Sequence, residues 1–414
     1  MITLKFIYDL GIGLTHVLLK FIALFNTKIK LGVKGRNDTF KILKQNLDNN
    51  TKTLWFHCAS LGEYEQGLPV FEKLRVHYIE HTIVLSFFSP SGYEIRKNTS
   101  VADIVVYLPL DTAKKAKQFI DIVNPELTIF VKYDVWPNYL DVLQKKNLRA
   151  ILISAAFRKN QIYFKPYGKI FKNALLSFEH IFVQNDPSKA LLESIGYANV
   201  TVAGDTRFDR VSNQLLSDNT LDFVAKFKGD NLCVVVGSSW PEDEALFINF
   251  INSETTKGTK FIIAPHNIIS HQIENFISKL NTEVVLFSNR NEHLLKTCDI
   301  LVIDTIGLLS KIYSYANVAY VGGAMGTTGL HNTLEPAVFG VPVIIGHNHE
   351  KFPEAKAFIE NGGMFAVKNQ KQFNNILAKL LKNKDFRQLA GSKNEALVNK
   401  NRGAVIQILD YLRI

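Results

Sequence analysis

The 414-residue chain has only three cysteines, three methionines and three tryptophans. Cys58, Cys233 and Cys298 are odd in number, far apart and without C-x-x-C spacing, which excludes a disulfide framework and a cysteine-based zinc site. A reducing compartment fits that usage. Also lacking are G-x-x-x-x-G-K-[ST] and G-x-G-x-x-G, so neither an ordinary P-loop ATPase nor a dinucleotide oxidoreductase is expected. No internal repeat is visible, and the 24 glycines and 12 prolines are scattered, which removes fibrous and low-complexity classes. With 47% hydrophobic and 21% charged residues the chain is globular, and at roughly 150 residues per domain it holds two or three domains. Acidic residues are the scarcer sign, 38 against 48 basic, and the net charge of +10 admits a polyanionic partner: nucleic acid, an anionic membrane or a phosphorylated substrate.

Residues 4–25 are mostly apolar, but Lys5, Asp9, His16 and Lys20 interrupt them at helical spacing. This places the polar groups on one stripe with a broad face of Leu, Ile, Val and Phe opposite. The early Asp9 and the missing small-x-small site disfavour a cleavable signal peptide. A spanning helix wants about 20 residues with few charges, whereas an interfacial helix tolerates a polar stripe. Lys28, Lys30, Lys34 and Arg36 just beyond would sit on anionic lipid. The plainer alternative is an amphipathic helix packed on the protein's own body.

Beyond Arg36, short β-rich runs alternate with helical stretches, the pattern of α/β domains with parallel sheets. Strands are predicted at 53–58, 83–88, 104–107, 127–131, 150–153 and 180–183, then at 233–236, 260–263, 283–286, 300–302, 318–321 and 343–345. Helices are predicted between them, including 163–177 and 242–250, and at the C-terminus. The polar stretch 204–222 is the linker candidate. The expected division is an N-terminal segment 1–35, a first Rossmann-like domain 36–205, and a linker with a second domain 206–414. Ligands are then expected at carboxyl ends of strands, in a central cleft that the two domains face.

The strand at 53–58 runs into Ala59-Ser60-Leu61-Gly62-Glu63, a turn that delivers a carboxylate to the sheet's carboxyl edge. Gly62 allows a sharp turn, Ser60 suits a helix cap, and Glu63 is either a base or a dipole-complementing acid. Downstream, Tyr320-Val321-Gly322-Gly323-Ala324 is a strand entering a glycine loop, followed by His331, Asn332, Glu335 and Pro336. Loop amides there suit a phosphate, and Glu335 suits the two hydroxyls of a ribose. Glu242-Asp243-Glu244 reads as first-turn helix acids, and no D-x-D metal signature stands out.

The blocks HCASLGE at 57–63, WPN at 136–138, GDTRFD at 204–209, DTIG at 304–307 and VGGAMGTTGLHNTLEP at 321–336 resemble, in order, the 3-deoxy-D-manno-octulosonic acid (Kdo) transferases of lipopolysaccharide assembly. The resemblance implies a GT-B fold, a CMP-Kdo donor, a lipid A precursor acceptor, and the cytoplasmic face of the inner membrane, with the N-terminal helix as attachment. It places the catalytic glutamate at Glu63 and donor binding at Gly322, Gly323, His331, Asn332 and Glu335, with Ser238 and Ser239 on a looser match. Acceptor-facing positions fall on Ser60, Gly62, Lys132, Asp134 and Arg158. The chain departs from the family pattern at three places. E-T-E has become Lys132-Tyr133-Asp134, P-R-H has become Pro265-His266-Asn267, and N-A-R has become Ser154-Ala155-Ala156, with Arg158 as a nearby substitute.

Direct inversion needs one carboxylate base, and a leaving phosphate held by amides needs no obligatory metal or other cofactor. The basic, aromatic stretch 157–172 suits the acceptor's phosphates or a bilayer surface, or is a solvated face with its aromatics inward. No nucleic-acid module accompanies it, and no obligatory protein partner is inferred. The alternatives are another GT-B glycosyltransferase, a nucleotide-sugar epimerase, or a non-catalytic membrane-associated nucleotide-sugar- or lipid-binding protein.

Overall fold

A computed structural model describes residues 2–48, 50–253 and 258–414; Met1 of the expected N-terminal segment lies outside them. Two compact units are present, Met1–Arg210 with Arg402–Ile414, and Val211–Asn401.

In the first unit, β1 (Thr53–Cys58), β2 (Thr82–Phe87), β3 (Ile104–Tyr107), β4 (Pro125–Val131), β5 (Arg149–Ala155), β6 (His180–Val183) and β7 (Val200–Val202) form one parallel sheet in the order β3-β2-β1-β4-β5-β6-β7. Every residue of β1 is buried, as expected for a strand covered on both faces by helices. Two apolar clusters fill the faces, one around Trp55, Phe119, Phe130 and Tyr139, the other around Phe56, Phe71, Leu85 and Ile153. The strand order reverses between β1 and β4, which are hydrogen-bonded neighbours. Such a switch point leaves a crevice at the carboxyl ends of the strands.

The second unit repeats the logic. β8 (Leu232–Ser239), β9 (Thr259–Pro265), β10 (Val284–Leu286), β11 (Ile300–Val302), β12 (Val318–Val321), β13 (Val343–Gly346) and β14 (Met364–Val367) run parallel in the order β10-β11-β9-β8-β12-β13-β14. Its switch point lies between β8 and β12.

Several expectations are corrected. The edge strands β7 and β14 escape the sequence reading because they are only three and four residues long and partly buried. The stretch 163–177 is not one helix but two 3-10 turns, Ile162–Phe164 and Pro166–Gly168, followed by the helix Lys169–Leu175. Pro166 disfavours helical backbone at Lys165, and a Cβ on Gly168 would lie 1.7 Å from the Ile162 carbonyl oxygen. The stretch 204–222 contains the helix Thr206–Gln214 rather than open chain. The last helix, Ala404–Leu412, packs on the first unit rather than the second. Asp209 anchors it, accepting the Gly403 and Ala404 amides at 2.7 and 3.1 Å.

The N-terminal helix Ile2–Ile22 docks on the first unit through Lys5, Tyr8 and Asp9. Lys5 pairs with Asp141 at 2.5 Å, the Tyr8 hydroxyl donates to Asp111 at 2.8 Å, and Asp9 accepts from the Asn138 amide at 2.8 Å. The apolar residues point outward: Phe6 is 68% exposed, Leu14 65% and Phe21 61%. The helix is thus packed on the protein's own body, as the plainer alternative has it, but by its polar stripe and with the apolar face left outward. Among the described residues no helix is long and apolar enough to cross a membrane.

Candidate active site

The turn after β1 begins the helix Leu61–His77 and places Glu63 in its first turn. Ser60 is the N-cap residue by backbone conformation, but its side chain makes no capping bond. The capping direction is reversed: the Glu63 carboxylate reaches back and accepts the Ala59 amide. Glu63 is buried. Burial and the neighbouring Asp134 charge push its carboxyl up to about 8, opposed by the Ala59 and Ser60 amides and by Lys132.

The chain leaving β4 supplies those neighbours across the switch point. Lys132 has φ +71°, a conformation rare for a side chain with a Cβ, and its amide donates to the Ile153 carbonyl at 2.8 Å. Asp134 is fixed by a polar relay. Its Oδ2 lies 2.6 Å from His57 Nε2 and accepts the Trp136 indole N–H at 2.8 Å. The His57 Nδ1 lies 2.8 Å from the Ser86 hydroxyl, which also accepts the Trp55 indole N–H at 2.8 Å. The bonds are mutually consistent when Ser86 donates to Nδ1 and Nε2–H donates to Asp134. Ser60, Gly62, Glu63, Lys132 and Asp134 are thus gathered at one edge. Arg158 is not brought into this group: it is exposed on the loop after β5, and its main-chain amide donates to Gln161.

Asp111 supports the same segment from behind. The helix Pro137–Lys145 has no side-chain cap of its own. Asp111, fully buried, accepts the Asn138 and Tyr139 amides at 3.1 and 3.2 Å, and burial raises its carboxyl to about 6.

In the second unit Ser238, Ser239, Gly322, Gly323 and His331 meet at the β8/β12 switch point. Ser238 has φ +53° and Gly323 φ +96°. A Cβ on Gly322 would sit 2.3 Å from the Ser238 carbonyl oxygen, so glycine there permits the two turns to touch. The Gly322 amide donates to the Gly237 carbonyl at 2.9 Å and the Gly323 amide to Asp243 at 2.8 Å. These two amides are engaged inside the fold, because the close approach of the turns consumes them, and do not present themselves to a phosphate. Asp243, fully buried, also accepts the Tyr320 hydroxyl at 2.6 Å and the Trp240 amide at 3.0 Å, so it organises the loop as well as starting the helix Pro241–Ser253.

A stack of rings borders this site. Trp240 lies on His266 with centroids 4.6 Å apart and planes at 21°, and His266 faces His331 at 4.4 Å. Burial, and then the neighbouring His266, lower His331 to about 4, so its ring is neutral near pH 7. Asn332 donates to Glu335 at 3.0 Å, holding that carboxylate at the start of the short helix Leu334–Ala337. No group of three or more His, Cys, Asp or Glu side chains able to hold a metal occurs among the described residues.

His57, Asp111, Trp240 and Asp243 were not foreseen as site residues. His57 opens the block at 57–63 and Asp243 stands among the first-turn acids, but nothing local in the sequence announces bonds to residues 77 and 80 positions away.

Residues 34–210 match the family model described as 3-deoxy-D-manno-octulosonic-acid transferase (kdotransferase). The chain is 25% identical to the 3-deoxy-D-manno-octulosonic acid transferase of Haemophilus influenzae, over 87% of this chain and 86% of that one. It is 28% identical to the enzyme of the same name from Aquifex aeolicus, over 82% and 88%. Among solved structures it resembles the UDP-GlcNAc 2-epimerase from Neisseria meningitidis, bound there to UDP-GlcNAc, with a TM-score of 0.61 at 15% identity over 87% and 99% of the two chains. That likeness concerns the fold, which is GT-B-like. With the family match over the first unit and the relatives spanning both, the chain is similar to 3-deoxy-D-manno-octulosonic acid transferases throughout and is a glycosyltransferase.

Proposed function

We propose that the enzyme moves Kdo from CMP-Kdo to a lipid A precursor, with inversion at the anomeric carbon, at the cytoplasmic face of the inner membrane. The observation that carries this reading is Glu63, a buried carboxylate at a switch point whose pKa of about 8 makes it a far stronger base than an ordinary glutamate. Glu63 takes the proton of the acceptor hydroxyl as that oxygen bonds to the anomeric carbon from the face opposite CMP. The bond from the anomeric carbon to the phosphate oxygen breaks through an oxocarbenium-like state, and its electron pair leaves with CMP. Ser238 and the neutral His331 ring line the place for the phosphate, and Glu335 takes the ribose hydroxyls. Lys132, Asp134 and the Ser60–Gly62 turn border the acceptor hydroxyl, and Arg158 reaches a more distant part of that substrate. The outward apolar stripe of the N-terminal helix rests in the membrane interface, supported by the basic residues that follow it.

The test is turnover of CMP-Kdo with a tetraacylated, bis-phosphorylated lipid A precursor by purified protein in EDTA, with wild type beside Glu63→Gln and products resolved by mass. Kdo addition by the wild type and its loss in a variant that still binds donor support the reading. Binding of CMP without transfer to any lipid A precursor overturns it, and epimerisation of a UDP-sugar in its place identifies the epimerase alternative.

A further inference from the structure

A cluster of basic side chains lies beside the apolar stripe and on the same sheet edge as Glu63. His16 and Lys20 are four residues apart and share a face of the N-terminal helix. The following helix, Thr27–Asn46, presses on β3 so closely that a Cβ on Gly35 would lie 2.3 Å from the Tyr107 ring. This seats Arg36 at the carboxyl ends of β2 and β3, where its guanidinium donates to the Phe88 carbonyl at 2.5 Å and the Leu108 carbonyl at 3.2 Å and lies 4.4 Å from the Phe88 ring centroid. Lys115, in the first turn of the helix Ala113–Val123, which packs against the helix Thr27–Asn46 that carries Arg36, completes the group.

None of the four forms an ion pair with a carboxylate among the described residues, although Arg36 is largely buried. Burial first, and then the charges of their neighbours, hold both His16 and Lys115 below their ordinary values: Lys115, Lys20 and Arg36 act on His16, and Lys20 and Arg36 act on Lys115. Uncompensated like charges gathered in one place cost stability unless an anion joins them.

The cluster also has a fixed relation to the chemistry. Along the carboxyl edge the order is β3, β2, β1, β4, so Arg36 stands at the β2/β3 end and Glu63 at the β1/β4 switch point. The Phe88 ring, under Arg36, lies 4.9 Å from the Trp136 ring that bonds Asp134. Two strand spacings separate the two groups by on the order of 10 Å.

We propose that His16, Lys20, Arg36 and Lys115 form a phosphate-binding site that takes a phosphate of the lipid acceptor, about 10 Å from the hydroxyl that Glu63 deprotonates. The acyl chains of the same molecule then lie along the outward apolar stripe. The inference rests on the lipid A precursor reading and adds what the acceptor is recognised by.

The experiment measures KM for the bis-phosphorylated acceptor and for its dephosphorylated form, in wild type, Lys115→Gln and Lys20→Gln/Lys115→Gln. Lys20 and Lys115 are chosen because they are solvent-accessible and bond no carbonyl of the core, unlike Arg36. Wild type is expected to prefer the phosphorylated lipid about tenfold or more, and the preference is expected to fall towards unity in the double variant. An undiminished preference in a folded double variant overturns the inference while leaving the transferase reading intact. So does a loss confined to flotation on phosphatidylglycerol vesicles, which assigns the cluster to bulk phospholipid. If the wild type transfers no Kdo, the functional reading fails, and direct titration of the two lipids into wild type and double variant decides the phosphate site by the same preference.

Discussion

The Asp134 carboxylate lies 2.6 Å from Nε2 of His57, a side chain with no solvent exposure at the end of β1. Through that contact a residue from the far side of the switch point is locked beside Glu63, and its charge helps to raise the pKa of the base. The relay through Ser86 and Trp55 orients the imidazole, so the position of Asp134 is set by the interior of the sheet.

Glu63→Gln should lower turnover by about three orders of magnitude, the usual worth of a positioned base, with donor affinity retained. Turnover of the variant within about tenfold of wild type would remove Glu63 from the base role.

The same variant makes a stability prediction. The folded carboxyl is raised to about 8, so between the ordinary carboxylate range and that value the native state holds a proton that the unfolded chain has released. Wild-type stability therefore falls across that interval as pH rises. The Tm of Glu63→Gln relative to wild type should climb over the same interval and level off above it. A constant difference would show that Glu63 is not held protonated by the fold.

Asp134→Asn removes the like charge that helps to raise Glu63. The acid limb of the kcat/KM profile should move to lower pH, with a fall in maximal rate as the His57 relay loosens. A limb that stays where it is in wild type would mean that burial alone sets the Glu63 pKa.

Gly322→Ala should weaken donor binding by about tenfold or more with little change in acceptor KM, because its Cβ would meet the Ser238 carbonyl and the Asp243 carboxylate at 2.3 and 2.8 Å. Glu335→Gln tests the ribose contact by the same titration with CMP, with a loss of about tenfold. Unaltered affinity in both folded variants would place the nucleotide elsewhere.

Charged substitutions on the outward stripe, Leu14→Asp with Val17→Asp, should abolish flotation with anionic vesicles at unchanged Tm, since both residues are 65% exposed. A fall in Tm without a change in flotation would show that the stripe belongs to a protein interface.

The α/β class, most of the buried strands and the turns that carry Glu63 and the glycine loop are legible in the chain. Buried parallel strands write continuous apolar runs, and the glycines and acids at their ends stand out locally. The polar stripe of the N-terminal helix is legible too, because helical spacing is a local property. Which way that stripe faces is another matter. Packing makes Lys5, Tyr8 and Asp9 bond the body and leaves the apolar face outward. Packing likewise occupies the amides of Gly322 and Gly323, sets Asp243 against the glycine loop and lets Asp209 secure the returning C-terminal helix. Those bonds join residues tens to hundreds of positions apart, and a hydrogen-bond partner at that distance leaves no periodicity in the chain to be read. The Arg36 cluster is of the same kind: three helices bring its charges together, and each looks like an ordinary surface residue until they are packed.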